Sequence, residues 1–289
     1  MKNLVILSQK WRVKVMNQYE RIIDSSSQKS DYLKDVFRYR ELFYFLALRD
    51  ILVRYKQTAL GIIWAIVRPL LTLAVFVFVF GKVAHLETHH VNYSSFILSG
   101  LLPWLLFAGS LTDTALSLVN QAPMISKIYF PRIILPMSHI MVHLVDFFIG
   151  CLLLLFLLTI TGNIHQVSLL AFPFFILLTL FLCAGTGFWL SAASIRYRDS
   201  RFIIPFLVQF GLFISPIGYS SFLLPESTQI FYFLNPMAGI IEGFRWCCFG
   251  IPHSNLMLAV TMSIIITSFI FFTGFVFFRK MERTCADII

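Results

Sequence analysis

The ionisable residues with the most site-like spacing are His139, His143 and Asp146, which lie inside a long apolar stretch. Steps of four and three place them on one face of a helix. Imidazole nitrogens and a carboxylate bind metal ions and carry protons, and ionisable groups in apolar spans are functional candidates. Because most metal sites take ligands from more than one helix, we favour the alternative, a polar contact between helices with Asp113 as partner.

A second cluster, His85, Glu87, His89 and His90, lies in a short polar segment between two apolar stretches. Such a cluster could bind zinc or respond to pH. A solvated loop is the simpler interpretation, and we favour it. The five cysteines are odd in number and have no paired spacing, so they predict neither a disulfide framework nor a zinc motif. We therefore expect no metal site in this chain.

The sequence offers little for catalysis. It contains no G-x-x-x-x-G-K-[ST] motif, so this chain is not expected to bind ATP phosphates in that way. A membrane enzyme would need acidic pairs or metal ligands in a loop, but Asp199 and Glu87 each lack a neighbouring carboxylate. An ion-driven carrier often shows internal repeats and paired broken helices, whereas this chain has one broken region and no repeat. No catalytic residue is predicted.

Phenylalanines at 202, 206, 210 and 213 form a stripe, because steps of four, four and three share one helix face. We call Phe202, Phe206, Phe210 and Phe213 the aromatic stripe. Flat aromatic faces stack on the C–H surfaces of sugars without demanding a particular hydroxyl pattern, so the stripe is a candidate surface for carbohydrate. In a chain with 32 phenylalanines, packing against helices or lipid is the alternative.

Two sets of arginines are candidates for anion binding. Arg196, Arg198 and Arg201 lie in the segment SIRYRDSR and could bind lipid phosphate, a partner or a pyrophosphate headgroup; topology anchoring explains them equally well. Arg68 is the only formal charge between residues 59 and 81. A buried arginine costs several kcal/mol unless it snorkels or pairs, so Arg68 is expected either to snorkel or to contact a lipid-linked anion.

The elements that position these residues follow from composition. The chain is 58% hydrophobic and 13% charged, which predicts a mostly helical integral membrane protein rather than a soluble domain. Six apolar stretches are long enough to cross a bilayer as helices. They lie near 59–81, 95–118, 133–160, 167–192, 202–222 and 254–278.

The charge distribution predicts the orientation. With the N-terminus inside, twenty of the 23 lysines and arginines fall in inner segments and only Lys82 and Arg245 fall outside. This is the positive-inside bias, and it places both termini in the cytoplasm. The net charge of +9 is explained by this bias, so no nucleic-acid partner is expected.

The regions that flank the first span are polar or amphipathic. Residues 1–34 form a polar cytoplasmic extension. Over 35–57, apolar residues recur at helical spacing, although Arg40 and Arg54 break the pattern. We predict an amphipathic helix that lies among the headgroups and contacts membrane lipids; a cytosolic helix packed on a partner is the alternative.

The region from Ser221 to Pro252 is broken by glycine and proline into apolar pieces too short to span a bilayer. Broken backbone at membrane depth is tolerated only inside protein or along a wet cavity. We therefore predict a pair of short re-entrant helices before the last span. A surface loop with an interfacial helix is the alternative. Glu242 and Arg245, three residues apart, are expected to pair.

Four segments in order resemble the membrane permease of polysaccharide ABC exporters, the Wzm-like type-two exporters of O-antigen, capsule and teichoic acid. The segments are ALGIIWAIVRPLLTLAVFVFVFGK, GLLPWLLFAGSLTDTALSLVNQAPMISKIYFPRIILP, SIRYRDSRFIIPFLVQFGLFISPIGY and LNPMAGIIEGFRW. The resemblance covers about residues 35–289; the longer N-terminal extension departs from it. It implies a six-helix transmembrane domain over 58–280, with 281–289 as a cytoplasmic tail.

The resemblance also implies partners and sites. Two copies of the chain would form the pore in a bacterial inner or plasma membrane, and two separate ATPase subunits would bind ATP and Mg²⁺, so this chain would carry no cofactor. Lipid-linked glycan would pass Trp64, Arg68 and the aromatic stripe. A short loop helix bracketed by Pro123 and Pro131 would dock on the ATPase, with an ordinary inner loop as the alternative. The predicted docking residues are Met124, Lys127, Ile128, Tyr129, Phe130 and Arg132. The alternative function is that of a related permease that exports a drug or a lipid.

Overall fold

The computed structural model describes residues 32–56, 61–85, 91–162, 168–197, 199–221, 225–250 and 255–288. All regular elements in these ranges are helices. They are α1 (Tyr32–Arg38), α2 (Arg40–Lys56), α3 (Ile63–Phe76, continued as a π-helix over Val77–Val83), α4 (Tyr93–Asn120), α5 (Ala122–Ile125), α6 (Ile134–Thr161), a 3-10 turn (Ser168–Ala171), α7 (Phe172–Arg196), α8 (Ser200–Ile214), α9 (Glu226–Tyr232), α10 (Pro236–Phe249) and α11 (Leu256–Ile288). The chain divides into two units, Met1–Arg38 and Tyr39–Ile289, and α1 belongs to the first.

Five helices in the described ranges are long and apolar enough to cross a bilayer. They are α3 with its π-helical continuation, α4, α6, α7 and α11, and they match five of the predicted spans. The prediction of an all-helical integral membrane protein is therefore confirmed. The stretch predicted over 202–222 is helical only in α8, whose 15 residues extend about 22 Å, short of the roughly 30 Å hydrocarbon core. A total of six spans stays a prediction.

Helix α4 lies at the centre of the second unit and is buried along most of its length. Glycines let its neighbours approach closely. A side chain at Gly109 would overlap His143 of α6, and one at Gly187 of α7 would approach Thr114 of α4 to 2.7 Å. Helices α7 and α11 meet at another such point, because a Cβ on Gly185 would lie 2.7 Å from the backbone of Phe271. Small residues at such crossings let membrane helices pack by van der Waals contact.

The amphipathic region predicted as one helix over 35–57 forms two, since α1 ends at Arg38 and α2 begins at Arg40. In α2, Leu46 and Ala47 are buried, while Tyr44 and Leu48 on the predicted apolar face are exposed. An exposed apolar face suits a helix that contacts lipid, and the interfacial location of α2 stays a prediction.

The two short helices expected before the last span are present as α9 and α10. Asn235 caps α10, because its Oδ1 accepts a hydrogen bond from the backbone N–H of Met237 at 3.0 Å. Pro236 occupies the first helical turn, where a missing N–H costs nothing. Gly250 ends the helix in the left-handed region at φ +67°. Most side chains of α10 are buried, so its backbone lies inside protein.

Candidate functional site

A cleft of about 880 Å³ is bounded by α2, α3, α4, α6 and one residue of α8. Its size falls in the range of small-molecule sites. Trp64 and Arg68 of α3 line one side, and Leu102 and Leu105 of α4 give an apolar wall. The cleft is also lined by polar and charged side chains: Arg54 and Tyr55 of α2, Asp113 of α4, and His143 and Asp146 of α6. We call Arg54, Tyr55, Asp113, His143 and Asp146 the polar junction.

Asp146 ties α6 to the end of α2. Its Oδ2 lies 2.8 Å from a guanidinium nitrogen of Arg54. The hydroxyl of Tyr55 donates a hydrogen bond to its other oxygen, Oδ1. Burial and this bond to a carboxylate raise the pKa of Tyr55 above its usual value. The phenol therefore stays protonated at neutral pH and remains a donor.

Asp113 adds α4 to the same junction. Its Oδ2 lies 2.6 Å from Nε2 of His143 and 3.7 Å from Arg54. Gly109 makes the first contact possible, since any larger residue one turn before Asp113 would overlap the imidazole. The predicted contact between His143 and Asp113 is confirmed. Arg54 thus faces carboxylates from two spans, which draws the end of α2 onto both.

A neighbouring ionic group lies one turn earlier on α2 and α6. Asp50 accepts hydrogen bonds from Arg49 at 2.9 and 2.8 Å, and its Oδ2 lies 3.6 Å from Nδ1 of His139. Within the described ranges, no group of three or more histidine, cysteine or acidic residues is arranged to hold a metal ion. These ionisable residues join helices to one another.

The predicted substrate path is divided between two surfaces. Trp64 and Arg68 line the cleft. The aromatic stripe lies outside it on an exposed face of α8, where its four side chains are 56–74% exposed. Phe206 and Phe210 stack with their ring planes 9° apart and their centroids 6.1 Å apart. The stripe therefore presents flat, uncovered rings in a single copy of the chain.

The predicted docking segment forms only one turn of helix, α5, with Pro123 in its first turn, and continues as turns and irregular backbone to Phe130. Ile128 and Tyr129 are 59% and 62% exposed, and Lys127 is also exposed. Phe130 points the other way and is 4% exposed. The segment therefore has an exposed apolar tip at Ile128 and Tyr129 and is anchored on the opposite side by Phe130.

Arg132 holds this segment to the last helix. Its backbone N–H donates to Oε1 of Glu282 at 2.8 Å, and its guanidinium donates to the Glu282 carbonyl at 2.5 Å. Arg279 lies 3.6 Å from the same carboxylate. Movement of the docking segment would therefore be transmitted to α11 through these contacts. Met124 is partly buried in α5.

The remaining predicted residues lie at the surface or beyond the described ranges. Arg196 is exposed, and its guanidinium carbon lies 5.9 Å from the ring centroid of Tyr197. Arg201 is exposed at the start of α8. Arg198 lies outside the described residues, as do Glu87, His89 and His90 of the predicted polar cluster, while His85 is exposed.

The expected pair of Glu242 and Arg245 is confirmed in α10, with 3.2 Å between the charged atoms. Both side chains are buried. Sequence reasoning missed the contribution of α2 to the polar junction, namely Arg54 and Tyr55. The sequence held part of the signal, because Arg54 interrupts the amphipathic pattern of its helix, but the exposed Arg40 does so as well, so the pattern does not distinguish the two.

A model of the ABC-2 type transporter family matches residues 41–249. The chain belongs to the ABC-2 type transporter family. The matched region begins in α2 and ends with α10, so the ABC-2 domain contains the cleft, the polar junction, the docking segment and the aromatic stripe.

The chain is also similar to bacterial proteins named for O-antigen export and polysialic acid transport. The O-antigen export system permease protein RfbA of Klebsiella pneumoniae is 27% identical over 206 residues, covering 71% of this chain and 79% of that protein. The protein of the same name from Myxococcus xanthus is 27% identical over 215 residues, or 74% and 82% of the two chains. The polysialic acid transport protein KpsM of Escherichia coli is 22% identical over 206 residues, or 68% and 77%.

Proposed function

We propose that this chain is the permease subunit of an ATP-driven exporter that moves a lipid-linked polysaccharide across a bacterial inner or plasma membrane. The observation that carries the proposal is the match to the ABC-2 family together with relatives named for O-antigen export and for polysialic acid transport. These relatives align over about seven tenths of the chain. The family match over residues 41–249 includes the cleft and the docking segment.

Coupling to a separate ATPase is supported by the docking segment. Ile128 and Tyr129 are large, apolar and exposed in a short loop, which is the chemistry of an anchor for a protein groove. The sequence has no P-loop, so ATP and Mg²⁺ would be bound by the partner and this chain would hold no cofactor and catalyse no reaction. Two ATPase copies would serve two copies of the permease.

The path for the polymer is assigned to the exposed faces of α3 and α8. Trp64, Arg68 and the aromatic stripe lie on helices that bury few side chains, only Ile204 in the case of α8. A second copy of the chain would cover these faces and enclose a channel lined by flat rings. Arg68 lines the cleft and supplies a positive charge for the phosphate of a lipid anchor.

The orientation rests on charge. Twenty lysines and arginines lie in the segments assigned to the cytoplasm, which supports an orientation with both termini and the docking segment on the side where ATP is found. Arg196, Arg198 and Arg201 would then lie at the inner headgroups and attract anionic lipids.

Deletion of the gene tests the function and separates it from export of a drug or another lipid. A polysaccharide exporter should leave lipid-linked polymer accumulated on the cytoplasmic side, and the surface should lose that polymer. Lipid extracts before and after deletion, analysed by mass spectrometry and restored by the intact gene, give the measurement. Normal surface polysaccharide with altered drug tolerance or lipid content would support the alternative.

A further inference from the structure

The chain leaves the helical conformation directly after α8, although it has not yet covered the thickness of a bilayer. Ser215 is extended at φ −80° and ψ 147°, residues 215–219 form bends, and Ser220 has no regular structure. We call residues 215–221 the unwound segment. Ser215, Ile217 and Gly218 are buried within the protein. Non-helical backbone at membrane depth must find its hydrogen-bond partners in the protein.

Arg245 of α10 supplies two of those partners. One guanidinium nitrogen donates to the carbonyl of Ile217 at 3.0 Å, and the other donates to the carbonyl of Tyr219 at 3.2 Å. The side chain is 4% exposed. Its planar fork suits two carbonyls on alternate residues, a geometry that lysine cannot reproduce.

Glu242 completes the charge balance and binds the end of the unwound segment. Its Oε1 accepts from the hydroxyl and the backbone N–H of Ser221 at 2.6 and 3.3 Å, and it lies 3.2 Å from Arg245. Removing either member of a buried ion pair leaves a charge without compensation, which is far more costly than losing an exposed pair.

Helix α4 supports the pair from the other side. The hydroxyl of Tyr93 donates to the carbonyl of Gly218 at 2.7 Å, so this residue is held between the two Arg245 contacts. The Arg245 guanidinium lies 3.7 Å from the ring centroid of Phe96. Gly100 leaves room for it, because a Cβ there would lie 3.2 Å from a guanidinium nitrogen.

Within one copy of the chain, helix α8 has few other attachments. Ile204 is its only buried side chain, and Gly211 lies against Trp104. We propose that Arg245 and Glu242 are positioning residues that clamp the C-terminal end of α8 to α4 and α10, and that this end stays fixed while the rest of α8 moves during transport. The clamp rests on geometry alone, and its role in polysaccharide export rests on the proposed function.

A cysteine probe in the unwound segment tests the clamp. Ile217 is fully buried, so Ile217→Cys should react slowly with a membrane-impermeant maleimide, both at rest and during ATP turnover of the complex with its ATPase. Arg245→Gln should raise the labelling rate about tenfold or more, the factor expected from losing a hydrogen bond made by a charged group. With Arg245→Lys, the labelling rate should lie between those of the Ile217→Cys parent and the Arg245→Gln variant. Lys280→Gln, which removes an exposed positive charge of α11, is the matched control and should leave the rate unchanged.

Export provides the second readout. Arg245→Gln should lower polymer export per ATP hydrolysed while ATP hydrolysis continues, and Arg245→Lys should restore part of it. If the Arg245→Gln chain does not accumulate, Glu242→Gln replaces it in both the labelling and the export measurements, with the same expected results. Glutamine still accepts a hydrogen bond from Ser221 but leaves Arg245 without a counter-charge.

Three results would overturn the clamp: labelling of Ile217→Cys that Arg245→Gln leaves unchanged, rapid labelling of the parent during turnover, or increased labelling with unchanged export per ATP. If the parent itself exports no polysaccharide, the proposed function fails, and the two labelling results still decide whether the clamp exists.

Discussion

At the scale of single residues, the departures from a regular pattern carry the most structural information. Arg54 interrupts the amphipathic pattern of α2, and it is the residue that reaches carboxylates on two spans, at 2.8 Å from Asp146 and 3.7 Å from Asp113. An arginine so placed stabilises the position of α2 through charge and geometry together, because its fork can serve two acceptors. The polar junction is therefore what places α2 at the edge of the cleft.

Tyr55→Phe tests whether the polar junction stabilises the protein, because it removes only the hydroxyl group that donates to Asp146. The variant should lower the thermal stability of the purified protein, because Asp146 loses a charge-assisted hydrogen bond worth about 1.5–3 kcal/mol. Tyr44→Phe removes an exposed hydroxyl from the same helix and should have little effect. Equal melting temperatures for the two variants in the same detergent would show that the hydroxyl of Tyr55 adds no stability.

The sequence predicted polar contacts only where both partners lay in apolar stretches or close together. His143 with Asp113, and Glu242 with Arg245, were expected for that reason, since an ionisable group in such a stretch needs a partner. The bond between Tyr55 and Asp146 joins residues 91 positions apart, and nothing in the local spacing of either residue specifies the other. Such contacts depend on how α2 folds back onto the spans.

At the scale of elements, the docking segment shows how one short loop serves two purposes. Consecutive residues lie on opposite sides of the loop, with Tyr129 exposed and available to the proposed ATPase and Phe130 buried in the chain's own core. Sequence reasoning assigned both to the ATPase contact, because their burial depends on packing that a short loop does not reveal. Substitutions of the exposed residues and of the buried Phe130 are therefore expected to have different effects.

Ile128→Glu with Tyr129→Glu should abolish co-purification of the ATPase and polymer export, because a charged tip cannot enter an apolar groove. The chain should still insert at normal abundance, since both residues are exposed. Phe130→Ala should instead destabilise the chain by about 3–5 kcal/mol through loss of buried volume. Unchanged co-purification and export in the double variant would show that this loop does not dock the ATPase.

The aromatic stripe is a second element-scale feature with two explanations. Leucine in place of Phe206 and Phe210 keeps an apolar side chain but removes the stacked flat faces, and such swaps usually cost under about 1.5 kcal/mol. If glycan slides along these rings, export should slow while ATP hydrolysis persists. The matched control replaces Phe269 and Phe272, two exposed rings of α11, with leucine. Normal export at normal protein abundance in the stripe variant would assign these rings to membrane packing.

At the scale of the whole molecule, hydropathy predicts the location and order of five long apolar helices, while the sixth predicted span stays a prediction. Five predicted spans correspond to long helices, but the stretch over 202–222 stops being helical after Ile214. The segment SPIGY that follows is apolar enough to extend a hydropathy window, although its proline and glycine disfavour a helix. What stabilises the unwound segment comes from α4 and α10, which no local window contains.

The orientation of the whole chain is tested by cysteine labelling from one side of the membrane. The asymmetry of twenty inner against two outer basic residues predicts that Ser94→Cys and His253→Cys react with an impermeant reagent added outside. Ser200→Cys should react only after the membrane is permeabilised, because it lies at the predicted inner end of α8. The parent chain provides the background from its native cysteines, of which Cys183, Cys247 and Cys248 are buried.

The three sites together also test the number of spans. If one predicted span did not cross the membrane, every loop after it would lie on the opposite side. Reaction of His253→Cys from the inside alone would exclude six spans with cytoplasmic termini, since an odd number of crossings would then separate it from Ser94.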